Sequence, residues 1–257
     1  MLTENGISNL IHHNTANFLH FVQRFVNSNS EFLKQENETY ALMLYYALFS
    51  DKLDKSGFKS IYEALSLLQT DKYKYFKQEI KEIASYLLEH LPIKTIPLQN
   101  LFCPQMEVYG GRYTREEVFM LIGRQTAIKR MQGTATGAFH LPEHNVSLLF
   151  VTLNKSDKDF SLTTQYDDYV INENLFHWQS WNFDSHQNEG GQRYIHQMET
   201  QRKILLFVRE NKKNGYGNTC PFHCFGLVNY VSSHGDFPTN VTWKLEKPVM
   251  PYDVKAI

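Results

Sequence analysis

Cysteine is nearly absent: Cys103, Cys220 and Cys224 are the only three in 257 residues, too few and too unevenly placed for a disulfide framework, and in keeping with a reducing compartment. Long apolar runs are missing too. Nothing approaches the roughly 20 consecutive apolar residues of a membrane span, and MLTENGISNLIHHN lacks the basic-then-apolar order of a signal peptide. The expectation is a soluble, intracellular protein. Charge of one sign is also lacking, because 26 Lys and Arg face 27 Asp and Glu for a net charge of −1. That excludes a bulk polyanion binder. Any grip on nucleic acid must come from local clusters such as Arg112, Arg115, Arg124, Lys129 and Arg130, or from a neighbouring domain.

What is present divides the chain near residue 95. Before it, apolar residues recur at helical spacing: Phe18, Phe21, Val22, Phe25 and Val26, then Tyr40, Leu44, Ala47 and Leu48, then Ile61, Leu65 and Leu68, then Ile80, Ile83, Leu87 and Leu88. This pattern predicts four amphipathic helices that end at the Pro92 and Pro97 pair. The aromatic stripe Tyr40, Tyr45, Tyr46 and Phe49 reads as helix-packing core, and His12, His13 and His20 as surface or packing residues of the first helix. Beyond residue 95 the periodicity changes. Thr114 and Glu117 in GGRYTREEVFMLIG form a capping box, predicting a short helix from Arg115 to about Ile122 that Gly123 ends. VSLLFVTL, KILLFVRE, FHCFGLVNYV and NVTWKL read as strands. Long polar insertions without regular helices between them suggest a mostly antiparallel barrel or curled sheet, with binding carried by the loops. The expected division is 1–95 helical and 96–257 barrel.

Catalytic signatures are missing. GTATG at Gly133 to Gly137 has no following lysine, so it is not a phosphate loop. No His-x-Lys pair of the phospholipase D type occurs. Asp167, Asp168 and Glu173 would suit a metal only with a lysine on a neighbouring strand, and none is apparent, so they read as solvated turn carboxylates. Cys220, His223 and Cys224 offer three zinc-type ligands where a structural site needs four, and strand alternation would put His223 on the opposite face from Cys224. No catalytic residue, metal or cofactor is expected.

Chemistry of a different kind concentrates in FSLTTQYDDYVINENLFHWQSWNFDSHQNEGGQRYI, from Phe160 to Ile195. It joins aromatic rings to amides, hydroxyls and histidines and has almost no aliphatic core. Tyr166, Phe176, Trp178 and Trp181 can stack on flat rings, while Gln179, Ser180, Asn182 and Gln192 can hydrogen-bond ring edges, as a nucleobase pocket requires. The plainer possibility is a polar-rimmed loop whose aromatics anchor a core, and a strand here would point His177 and Gln179 away from Trp178.

FVTLNKSDKDFSLTTQYDDYVINENLFHWQSW, with GGQRYIHQ, KILLFVRE and CFGLVNYVSSHGDFPTNVTWKLEKPV after it and YTREEVFMLIG before it, resembles a helicase-associated domain of bacterial proteins. There it follows a phospholipase D-type nuclease and a superfamily II helicase. The resemblance covers residues 95 to 257, and within the family the lysine- and asparagine-rich style is most similar to type IV, modification-dependent restriction enzymes. Members often read F-H-W-Q-S-Q where this chain has Trp181 in the last place.

The resemblance implies a bacterial cytoplasmic target-recognition domain for duplex DNA carrying 5-methylcytosine or 5-hydroxymethylcytosine, in a barrel of the SRA or PUA kind. It would work beside helicase and nuclease domains of the parent chain, without nuclease or ATPase activity of its own. A flipped base would be walled by Trp178, Tyr166 and Phe176, with Asp167 or Asp168 accepting from N4, and Gln179, Ser180 and Trp181 completing the pocket. Arg115, Arg124, Lys129, Arg130 and Arg193 would hold phosphates. The competing reading is a module that docks on the helicase or clamps unmodified duplex.

Overall fold

The computed structural model describes residues 6–28, 38–49, 52–92, 94–98, 101–131, 136–155 and 167–249. Backbone contacts divide the chain into two units, Met1–Glu107 with Gly111–Gly133, and Val108–Gly110 with Thr134–Ile257. The first unit thus runs beyond the division expected near residue 95 and includes the capping-box helix.

Five helices precede the strands: α1 (Ala16–Asn27), α2 (Glu38–Leu48), α3 (Leu53–Ser56), α4 (Ile61–Leu67) and α5 (Lys74–Glu89). The four expected helices are α1, α2, α4 and α5, and α3 is a single extra turn closed by Gly57 at φ 82°, which glycine tolerates without a Cβ clash. α1 turns Phe18, Phe21, Val22 and Phe25 inward. α2 is buried on every side from Tyr40 to Leu48, which explains a stretch apolar all round. Three short strands follow, β1 (Ile96–Pro97), β2 (Glu107–Val108) and β3 (Gly111–Tyr113), then α6 (Arg115–Leu121). The capping box forms as expected: Glu117 N–H reaches the Thr114 hydroxyl, and the Glu117 carboxylate accepts from Thr114 N–H at 2.8 Å.

The second unit is built on β4 (Ala138–Leu141), β5 (Val146–Asn154), β6 (Tyr169–Asn172), β7 (Leu175–Gln179), β8 (Lys203–Asn211), β9 (Phe222–His234) and β10 (Asn240–Leu245), with one helix, α7 (Glu189–Ile195). Seven helices are thus described, in a mixed α+β architecture. The strands pair in the order β4-β5-β8-β9-β10-β7-β6. Every pairing on this path is antiparallel except β5 with β8, which run parallel from Val146 beside Lys203 to Asn154 beside Asn211. Both are buried along most of their length, which is why VSLLFVTL and KILLFVRE show no polar alternation.

The expected barrel is corrected: the sheet is open. Among the described residues β4 and β6 end the order without pairing each other. β6 is mostly solvent-exposed, so water can satisfy its free edge. One face carries the cluster in which Phe176, Trp178, Tyr194, Phe225, Val241 and Trp243 meet, and Phe150, Phe207 and Phe222 are buried against one another outside it.

Candidate functional site

Several residues expected in a base pocket hold the fold together. Phe176 and Trp178 lie on the core face of β7, 0% and 3% exposed. The Trp178 indole meets Tyr194 edge-on at 4.7 Å and Trp243 at 6.3 Å. A ring enclosed in this way has no free face for a base, so both are corrected to core anchors. Strand alternation decides this, because β7 must give one of its faces to the core.

The polar members are engaged too. Asp168 is buried, not a solvated turn carboxylate: Lys155 Nζ stands 2.5 Å from Oδ2, and Gln179 N–H donates to Oδ1 at 2.9 Å. Burial pushes its carboxyl up, and the Lys155 ammonium opposes that shift. The Gln179 side chain accepts from Asp167 N–H at 2.8 Å and donates to Asn240 Oδ1 at 2.9 Å. Ser180 is fully buried, its amide donating to Thr239 O and its hydroxyl accepting from Thr239 N–H, both at 3.0 Å. Asp167 remains exposed. Tyr166 lies outside the described residues, as do 133–135 of the GTATG stretch.

Beyond Ser180 the chain makes a loop that a second loop braces. His186 donates its N–H to Asp236 Oδ1 at 2.6 Å, with Nδ1 3.0 Å from the same oxygen and Nε2 2.9 Å from Ser233 Oγ. Phe237 N–H donates to Asp184 O at 2.9 Å. These bonds fix two tips carrying Phe183 and Phe237, each 63% exposed. Phe237 has φ 58°, a backbone conformation that a bulky residue keeps only where its surroundings demand it.

The sequence NEGGQRY locks the next element in place. Asn188 caps α7, its Oδ1 accepting from Gly191 N–H at 3.0 Å and Ser185 N–H at 3.2 Å. A Cβ on Gly190 would lie 1.9 Å from Asp184 Oδ1, and one on Gly191 2.0 Å from Ser185 O. Both glycines exist for this close approach. It sets Arg193 and Arg202 on one open groove, with Glu189, Gln192, Glu199 and Thr200. Arg193 reaches Glu189 at 3.1 Å; Arg202 makes no ion pair among the described residues and donates to Ser147 Oγ at 3.3 Å. The same hydroxyl lies 2.9 Å from His140 Nδ1. Burial, then the nearby Arg193 and Arg202, push the imidazole down to about 4, so at neutral pH it is uncharged. Its ring lies 6.1 Å from Trp181, and the Trp181 ring 5.2 Å from Phe183. Ring contacts thus link His140 and Trp181 to the exposed Phe183, while Arg193 and Arg202 line the groove.

The other expected phosphate residues belong to the first unit. Lys129 and Arg124 are exposed, Arg115 is on the first turn of α6, and Arg130 pairs with Glu116 at 3.4 Å while covering the Tyr46 ring at 4.9 Å. Asp167, Asp168 and Glu173 form no metal-capable group among the described residues.

The model of the family described as "Domain of unknown function (DUF3427)" matches residues 108–254, more than half of the chain. The chain belongs to the DUF3427 family. No curated protein matches it. Among solved structures it is similar to the crystal structure of Arabidopsis thaliana SUVH6 in complex with SAM, at 13% identity and a TM-score of 0.35, over 96% of this chain and 40% of that one. At that score the likeness carries no argument about function. Within this DUF3427 chain, sequence reasoning missed Phe183, Phe237, His140, Arg202 and Lys155. Only the exposed aromatics left a signal, in NFDSH and GDFPT; the others gain their partners only once the chain is folded, His140 and Arg202 at Ser147 and Lys155 at Asp168.

Proposed function

We propose that this chain is a DNA-binding target-recognition module for duplexes carrying 5-methylcytosine or 5-hydroxymethylcytosine, part of a type IV restriction protein whose helicase and nuclease lie elsewhere. The observation that carries the reading is the run of rings Phe183, Trp181 and His140, with Arg202 joined to His140 through Ser147 and sharing a groove with Arg193. Aromatic rings lie near two guanidiniums, one of which makes no ion pair among the described residues. Stacking on aromatic rings is worth about 1–3 kcal/mol per base, and guanidinium groups suit phosphate oxygens.

In this reading the base walls move from Trp178 and Phe176 to Trp181 and Phe183, with Tyr166 retained. Asp167, the one carboxylate of its pair left exposed, accepts from N4 of the cytosine. Taking the base out of the stack costs a few kcal/mol, and the exposed Phe237 ring on its braced loop would fill the gap left in the duplex. The chain itself reads and does not cut. A docking module for the helicase is the second reading, favoured by the exposed Ile171 on β6 and Val231 on β9.

The test is titration of the chain with identical duplexes that do or do not carry 5-methylcytosine, at several salt concentrations. Tighter binding of the methylated duplex is expected, weakening steeply with salt. Equal affinity for both would reject base reading and leave clamping; no binding to either would leave docking.

A further inference from the structure

Within the first unit, three side chains that no expected function uses meet at one point. His12 and His13 lie before α1, not on it, and both face Glu117 on α6. His12 Nε2 is 3.0 Å from Glu117 Oε2 and His13 Nε2 is 3.3 Å from Oε1. One ligand atom from each residue falls within a sphere of mutual distances no greater than 4.8 Å. The two imidazole rings are 4.2 Å apart.

We propose that His12, His13 and Glu117 form a binding site for a divalent transition-metal ion, with zinc as the best-fitting ion. Four features carry it.

The donor set is right, since two imidazoles and a carboxylate are borderline ligands that suit zinc and its neighbours. Spacing is the second feature. Zinc bonds of about 2.0–2.2 Å in tetrahedral geometry put ligand atoms about 3.3 Å apart; His12 Nε2 lies 3.0 Å from one Glu117 oxygen and His13 Nε2 3.3 Å from the other, and one atom from each residue falls within 4.8 Å of the rest.

The third is His13 itself. Its side chain is 0% exposed, walled by Phe18 at 4.3 Å, yet neither ring nitrogen has a hydrogen-bond partner, Nε2 lying 3.3 Å from Glu117 Oε1. A buried imidazole left this way is costly, and a cation would satisfy Nε2 while Nδ1 carries the proton.

The fourth is preorganisation. Glu117 is already oriented, because its Oε2 accepts from Thr114 N–H at 2.8 Å, the outer support that metal-binding carboxylates use. His12 is partly exposed at 16%, so the fourth position opens to water. The ion would tie the segment before α1 to the start of α6, a structural role in the helical unit.

The experiment uses the full chain, stripped with a chelator and then titrated with zinc alone against a chromophoric competitor. Cobalt substitution and X-ray absorption would follow, to identify the ligand atoms. Binding of about one zinc per chain is expected, with imidazole and carboxylate ligation and no sulfur. His12→Ala removes a partly exposed ligand, and Glu117→Gln keeps an oxygen for the Thr114 amide; each is expected to weaken zinc binding by at least roughly tenfold, the scale seen when metal-site groups are removed. Circular dichroism confirms that both variants are folded. No zinc uptake above that of a chain carrying both substitutions, uptake unchanged in both single variants, or sulfur ligation through Cys103, Cys220 or Cys224 would each overturn the assignment.

Discussion

Trp178 and Phe237 show how far one residue's surroundings decide its task. Trp178 is wrapped by Tyr194, Val241 and Trp243, so Trp178→Ala should lower stability by about 3–5 kcal/mol through the cavity it leaves. Urea denaturation would measure this, and a loss under about 1 kcal/mol would place the ring outside the core. Phe237 presents the opposite case. With its ring 63% exposed, Phe237→Ala should leave the denaturation midpoint nearly unchanged and weaken methylated-duplex binding several-fold. A variant that binds as well as the parent would remove the loop from the interface. Both aromatics look alike in a sequence. Trp178 stands in a strand whose inward face is set by neighbours more than 60 residues away, Val241 and Trp243, whereas Phe237 stands between Asp236 and Pro238 in an exposed tip.

At the scale of elements, α7 and the strand ends beside it hold the most testable chemistry. His140, on β4, is kept neutral by burial and by Arg193 and Arg202, its pKa reaching about 4 from the ordinary 6.5. Between those values the unfolded chain takes up a proton that the folded chain refuses, so stability falls as pH drops through that window and is fully present above it. Denaturation midpoints at pH 7.5 and pH 5 should therefore drop less in His140→Gln, which keeps a partner for Ser147, than in the parent; equal drops would show that the imidazole titrates normally. Arg193, on α7, and Arg202, beyond it, share one groove. If each meets a phosphate, its replacement by Gln should reduce the slope of log affinity against log salt by about 0.9 for duplex DNA, and should do so for methylated and unmethylated duplexes alike. A loss confined to the methylated duplex would assign the arginine to the base instead. The helix itself was not legible beforehand. Its seven residues include Gly190 and Gly191, poor helix formers retained for the approach to Asp184 and Ser185.

For the whole molecule, the question is which unit grips the ligand. Lys129 and Arg130 belong to the first unit and Arg193 and Arg202 to the second. Replacing the first pair by Ala should leave methyl discrimination intact even if total affinity falls; lost discrimination would move the base site to the helical unit. No helix among the described residues is long and apolar enough to cross a membrane. Local signals determined much of the architecture: helical apolar spacing placed α1, α2, α4 and α5, the Thr114 and Glu117 capping box placed α6, and β-branched runs placed β5, β8, β9 and β10. Each is a property of neighbours along the chain, which is why it can be read there. The open edge of the sheet, the parallel pairing of β5 with β8, the burial of Trp178 and Phe176, the Lys155–Asp168 ion pair and the meeting of His12 and His13 with Glu117 were decided only by tertiary structure. Each depends on residues that are not neighbours along the chain, and a residue type alone does not say which face of its element the core will claim.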